Sequence, residues 1–404
     1  MSFYSKLAFM RSAVTRIFNV FLLLHLLSLV AMIALTLSAG AAELGPSSTP
    51  GSLEQRQEAK ATSDLPVGLD YSVMLQATLG AAQQEAAGGV ARIYGQFDVT
   101  PDSAAGSDQL VFKIEHRHRL GTTLAPQDLG FASGYLGLSS LTYSDAGALL
   151  TNLFWQHKSA DNRWALVAGI VDVTDYVDVY ALVNPWRDFS NLAFSTNPTI
   201  PAPDQGFGVA GRVLIGSHGY LLAGFADSNA DPSDPFRSLA DFFSEPELFK
   251  HIEFGFVGSY DQRFTNNIHL TFWHGDARRA AGIPSGQGGA ISGSWQLFES
   301  FIPFVRLGAA EGGGALYDRS ASVGLGFVTG REDDVIGFGA NWSRPNEDIY
   351  GKDINTQFTM EAYWRTKFAN WLEITTDIQY VDNPALDPGK NSLWTFGARF
   401  RAAF

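Results

Sequence analysis

No cysteine occurs in the 404 residues, so nothing in the fold depends on disulfides, as fits an exported protein that does without them. Charge is sparse and lopsided, with 28 Lys and Arg against 41 Asp and Glu and a net charge of −13, which argues against binding nucleic acid through its phosphates. Long apolar runs are missing everywhere except near the N-terminus, and the mean hydropathy of −0.01 excludes a helical membrane bundle. Catalytic motifs are lacking too. There is no G-x-S-x-G, no H-E-x-x-H and no G-K-[ST] phosphate loop, and Gly324-x-Gly326 has no following helix to complete a dinucleotide site. What the chain does have is 41 glycines and an abundance of rings: 30 Phe, 13 Tyr and 9 Trp. A soluble chain of this length would divide into two or three domains; a large barrel is the main exception.

The last stretch points to the exception. From Trp394 to Phe404 every second residue is Trp394, Phe396, Ala398, Phe400, Ala402 and Phe404, while the interleaved set includes Arg399 and Arg401. That is strand periodicity, with one aromatic, uncharged face over the ten or so residues a tilted strand needs to cross a bilayer. The last strand of a soluble sandwich would look similar, so the rest of the chain decides.

Three divisions are expected. Residues 1–41 read as an export signal: Lys6, Arg11 and Arg16 precede the apolar run Val20–Leu37, and small residues suited to cleavage follow up to Ala41 and Ala42. A retained anchor helix is the alternative, because the run is just long enough to span. Loss of the signal removes three positive charges and leaves the mature chain more acidic. Residues 42–66, with Pro46, Pro50 and the run Glu54–Glu58, read as a flexible periplasmic linker, and 67–404 as an all-β, antiparallel transmembrane barrel.

About sixteen segments between Leu69 and Phe404 can cross as strands, among them 251–260, 289–298 and 303–308. Short links such as Ser159–Arg163 and Lys367–Asn370 alternate with mostly longer ones, the parity of short periplasmic turns and long external loops. An even strand number puts both ends of the mature chain in the periplasm. The faces agree. Leu110, Phe112 and Ile114 alternate with Lys113, Glu115, Arg117 and Arg119, and a one-residue slip would put four charges into lipid. Phe358, Met360, Ala362 and Trp364 likewise alternate with Gln357, Thr359, Glu361, Tyr363 and Arg365. An inner wall with charges of both signs describes a water-filled passage.

The longest link, Asp172–Gln205, is the third external loop and is rich in acids and rings; burying its apolar residues requires it to fold toward the lumen, unless it forms an external flap. Sugars offer hydroxyls at the ring edge and C–H faces above and below. The inward Arg92, Lys113, Glu115, Arg117, Arg306, Glu361, Arg365, Asp377 and Gln379 are candidates to hydrogen-bond hydroxyls, and Tyr94, Phe154, Trp186 and Tyr363 to stack on ring faces. An inner-wall salt-bridge network that stiffens the barrel is the alternative for the same set. No catalytic, cofactor or metal site is expected. His116 and His118 share a face that points outward near a membrane interface, and Asp227, Asp231 and Asp234 read as a solvated acidic loop rather than a calcium site.

Several stretches resemble the carbohydrate-selective porins of the OprB type: Gly169–Asp178, then Asn197-Pro198-Thr199-Ile200-Pro201, Glu361-Ala362-Tyr363-Trp364-Arg365, Trp371–Val381, Asn383-Pro384 and the closing Gly397-Ala398-Arg399-Phe400. The resemblance implies a sixteen-stranded outer-membrane channel for passive diffusion of small sugars in a Gram-negative bacterium. It covers most of the mature chain and departs at Ile170 and Val173, where the family pattern often has Arg and Pro. Outer-membrane lipid is the expected surroundings, and a homotrimer is compatible with the sequence. A porin for other small solutes, a plugged structural barrel and an outer-membrane esterase or protease are the other readings.

Overall fold

The computed structural model describes residues 67–404 apart from 82–84, 101–102, 138, 140, 261, 331–333 and 352–353; the expected signal and linker lie outside the described residues. Alternating sequence becomes strand throughout. The first half of the wall is β1 (Val67–Leu79), β2 (Glu85–Asp98), β3 (Ser107–Arg119), β4 (Gly147–Lys158), β5 (Trp164–Val171), β6 (Gly206–Ile215), β7 (Gly219–Asp227) and β8 (Leu248–Val257). The second half is β9 (Asn267–Gly275), β10 (Gly286–Ser294), β11 (Phe301–Gly312), β12 (Tyr317–Val328), β13 (Val335–Pro345), β14 (Gln357–Ala369), β15 (Leu372–Asp382) and β16 (Ser392–Ala403). Each strand pairs antiparallel with its neighbours in sequence, and β1 pairs with β16 to close the cylinder, Val73 opposite Phe400 and Leu79 opposite Trp394.

Register puts the apolar set outside. Ile114 and Phe396 are 46% and 44% exposed, whereas Lys113 and Glu115 on the other face are almost fully buried. Shifting β3 by one residue would expose those charges to hydrocarbon at about 2–4 kcal/mol for each Arg or Lys at the bilayer midplane. The seam between the chain's two ends is fixed from inside. Asp70 of β1 accepts two bonds from Arg92 of β2, at 2.6 and 2.5 Å, and two from Arg401 of β16, at 3.2 and 3.0 Å.

Most strand ends differ by one to five residues from the pattern-based expectation, and β8, β10 and β11 show why. β8 begins at Leu248 rather than 251, because Leu248 pairs with Asp227 and its amide bonds Asp276 at 3.0 Å. β10 runs Gly286–Ser294 rather than 289–298: its start is glycine, with no side chain to reveal a period, and the chain leaves the ladder before Phe298 and Glu299, both at positive φ. β11 extends to Phe301–Gly312, passing through Pro303, whose carbonyl still accepts the Trp295 amide. Link lengths are also less regular than the parity rule. β11 turns into β12 through only Gly313–Leu316, with Gly312, Gly313 and Gly314 all at positive φ that glycine alone takes easily.

Candidate functional site

The 34-residue segment between β5 and β6 shapes the interior. Its base is pinned by Asp172, which caps a short turn through the Thr174 amide (3.0 Å) and accepts from Gln205 Nε2 at the segment's other end (2.9 Å). From there the loop is bonded to one side of the wall. Its Asp178 amide donates to Glu253 of β8 (2.8 Å), and its carboxylate takes His269 of β9 (3.2 Å) and Arg306 of β11. The Arg306 guanidinium also donates to the carbonyls of Phe194 (2.9 Å) and Thr196, so it ties the outgoing limb to the returning one.

Further round the wall Glu361 of β14 accepts from the amides of Ser190 (2.7 Å) and Asn191 (2.9 Å), while Ser190 Oγ donates to Asp377 (2.6 Å) and Asn191 Nδ2 to Gln379 (2.9 Å), both on β15. Arg187 forks onto Glu373 at 2.5–2.9 Å, Asp188 takes Arg365, and Arg399 of β16 donates to the carbonyls of Pro185 (2.5 Å) and Asp188. Beneath these bonds Phe189 packs edge-on against Tyr363 and Phe304, and Phe194 fills the space left by Gly339. A tether on this scale serves because each of these buried charges has a counter-charge or hydrogen-bonding groups beside it; left bare, it would cost several kcal/mol. Burial alone would raise the Asp178 carboxyl, but the Arg306 charge and the His269 hydrogen bond outweigh it and hold that carboxyl below the usual carboxylate range.

The loop therefore fills the side of the bore walled by β9 to β16, packs on β7 and β8 through Val173, Val177 and Asp178, and leaves space toward β3 to β7. Two cavities lie there. An outer one of about 630 Å³ is lined by Lys113, Glu115 and Arg117 of β3, by Trp186 and Asn184 of the loop, and by Asp231 and Ser233 from the β7–β8 link. An inner one of about 140 Å³ is lined by Asn152, Phe154 and Gln156 of β4, Arg212 of β6, Tyr220 of β7 and Tyr176 of the loop. Asp172, Asp175 and Val179 line both. At this junction Asp175 faces Lys113 at 3.7 Å and accepts from Asn152 Nδ2 at 3.3 Å.

The thirteen residues singled out from sequence separate accordingly. Lys113, Glu115, Arg117 and Trp186 line the outer cavity and Phe154 the inner one. Arg306, Glu361, Tyr363, Arg365, Asp377 and Gln379 are inward but occupied by the loop, and Arg92 is buried between Asp70 and the face of Trp186, 3.7 Å from its centroid. Tyr94, partly buried, belongs to neither cavity. Sequence reasoning missed Asp172, Asp175 and Tyr176 as lining groups and Asp178, Arg187 and Asp188 as tethers. Their signal was present: a loop dense in acids, opposite strands with an excess of inward Arg.

His116 and His118 lie on the outer face as the alternation requires, bonded to each other (3.3 Å), with His118 also bonded to Tyr71 (3.0 Å). Ile170 lies on the side opposite Val167 and Val171, which line the inner cavity, and Val173 is packed in a cluster with Phe249 and Trp273. Neither position where the chain departs from the OprB pattern contributes a group to the passage.

The comparisons with known proteins fit this geometry. Residues 291–404, from β10 to the end, match the family model described as carbohydrate-selective porin, OprB family. The porin fold is matched independently: the high-pH structure of Pseudomonas putida OprB superposes with a TM-score of 0.67 at 13% identity, over 84% of this chain and 94% of that one. A loop-deletion mutant of OmpT, an outer-membrane protein of Vibrio cholerae, matches with a TM-score of 0.50 at 12% identity, over 84% and 99% of the two chains. At such identities the superpositions establish the fold alone. No curated protein sequence matches the chain. The architecture is therefore that of a porin barrel, and residues 291–404 are similar to carbohydrate-selective porins.

Proposed function

We propose that sugars cross by the off-centre route along β3 to β8, entering the outer cavity, passing the Lys113–Asp175 junction and leaving through the inner cavity. The observation that carries this is the pair of cavities sharing Asp172, Asp175 and Val179 on the one side of the bore the loop leaves free. Its chemistry suits a polyol. Lys113 and Arg117 donate, Glu115, Asp172 and Asp175 accept, and Trp186, Phe154 and Tyr176 supply ring faces for the C–H sides of a pyranose. Paired charges of both signs favour a neutral solute over either ion. Attraction has to stay weak for release to be fast, and a millimolar site amounts to only about 4 kcal/mol.

In this reading residues 1–41 direct export and are removed, 42–66 form a periplasmic linker, and the barrel operates alone or as a homotrimer in which each bore is independent. The test is liposome swelling with glucose, a disaccharide and amino acids of matched size. Glucose should enter faster than an amino acid of equal size, and Lys113→Ala with Asp175→Ala should erase that preference. Rates ordered by size alone in the native protein would remove the sugar preference, and a preference that survives both substitutions would remove this route.

A further inference from the structure

The link between β7 and β8 carries a helix, Pro235–Ser244, that takes no part in lining the bore. At about 100° per residue its side chains fall into three sectors roughly a third of a turn apart. Ser238 and Phe242 form the buried sector. Arg237 and Asp241, themselves 76% and 72% exposed, form a polar one. The third holds Phe236 and Phe243, seven residues apart and so on one face, with Leu239 and Ala240 beside them. Phe236 is 74% exposed and Phe243 66%.

The helix sits on the outside of the wall. The rings of Phe242 and Phe243 pack at a tilt on Phe207, with centroids 5.0 and 5.2 Å away; Phe207 stands at the outer end of β6 on the face opposite Ala210 and Arg212 of the inner cavity. Phe207 thus belongs to the lipid-facing band that continues through Val209 and Val213. Held to that band by Phe242 and one edge of Phe243, the helix leaves most of two sectors uncovered, one charged and one aromatic, and an aqueous loop has no use for the aromatic one. We propose that this helix is an interfacial anchor: its Phe236–Phe243 stripe lies in the acyl region of the outer leaflet and its Arg237–Asp241 side faces water. The stripe is continuous with an apolar surface the barrel already buries in lipid, and this identifies its partner as lipid rather than a second protein. The link also bonds the wall beyond β6, the Pro232 carbonyl accepting the Leu150 amide of β4 at 2.9 Å, so the anchor would steady one rim of the outer cavity.

Because the chain has no cysteine, single labels report cleanly. Phe236→Cys, Phe243→Cys and, for the polar sector, Arg237→Cys would each carry an environment-sensitive fluorophore in the full-length barrel, reconstituted in phosphatidylcholine vesicles with or without chain-nitroxide lipid. Labels at 236 and 243 should emit to the blue of the label at 237 and be quenched by nitroxide lipid at least about twofold more strongly. Equal quenching at all three positions would overturn the proposal. So would quenching that follows protein density instead of nitroxide lipid, the result expected if the stripe met a second copy. Should the Phe243 variant fail to fold, as judged by the loss of its fast-migrating unheated form, Leu239→Cys reads the same face.

Discussion

Replacing Arg306 by alanine is the sharpest single perturbation of the bore. Its guanidinium is 3% exposed and holds three groups of the loop at once: the Asp178 carboxylate on the outgoing limb and the Phe194 and Thr196 carbonyls on the returning one. Removing it leaves Asp178, itself 4% exposed, with only His269 as counter-group. Loss of one partner of a buried pair costs about 3–5 kcal/mol, so the ratio of docked to displaced loop should fall by about two to three and a half powers of ten. The strand ladder is untouched, and the barrel should still insert. In planar bilayers Arg306→Ala should show larger, noisier conductance, and in liposomes it should admit a trisaccharide faster than the native protein does. Adding Asp178→Ala should recover part of the native behaviour, since deleting both partners leaves no stranded charge. Native conductance and a native trisaccharide rate in correctly inserted Arg306→Ala would show that this arginine does not hold the loop.

The Asp178 tether should outlast ordinary carboxylates on acidification. Its depressed carboxyl contributes stabilisation above the unfolded value and loses it only as pH falls through the lower folded one, so Asp178→Asn should widen the bore at neutrality and by the same margin down to about pH 4, the difference from the native protein shrinking only in stronger acid. A difference that vanishes in mild acid would contradict this. Gly339→Leu should destabilise the docked loop by about 1–3 kcal/mol, because even a Cβ there would lie 2.8 Å from the Phe194 ring; single-channel conductance should rise while the unheated gel band is retained. Ile114→Lys, on the lipid face, should lower the unfolding free energy by about 2–4 kcal/mol in a reversible urea titration, with no effect in the bore.

Period-two alternation made the barrel legible before any coordinates. Where side chains were large and of opposite character, as in Leu110–Arg119 and Trp394–Phe404, strand, face and register followed from the sequence alone. Where they were glycine, as at the start of β10, or interrupted by Pro303, the ends drifted by a few residues because the deciding bonds come from neighbouring strands. The site was harder to read, for a specific reason. Alternation separates inward from outward, but it does not separate a residue facing water from one facing a loop inside the barrel. Lys113 and Arg365 carry the same periodic signature, yet one lines a cavity and the other binds Asp188. That distinction depends on where 34 residues of loop come to rest, which hydrogen bonds more than a hundred positions apart determine.

The carboxylate of Asp70 has implications for how the cylinder is made. It lies between guanidiniums supplied by the second strand and by the last, more than 300 residues later. A nascent sheet lacking only its final hairpin would leave Asp70 with one of its two guanidinium partners, and Arg399 and Arg401 would not yet have met their acceptors. The final strand therefore brings ladder hydrogen bonds and two guanidiniums to waiting acceptors in one event, which makes the incomplete hoop an unfavourable resting state and biases assembly toward closure over release of a partly zipped intermediate.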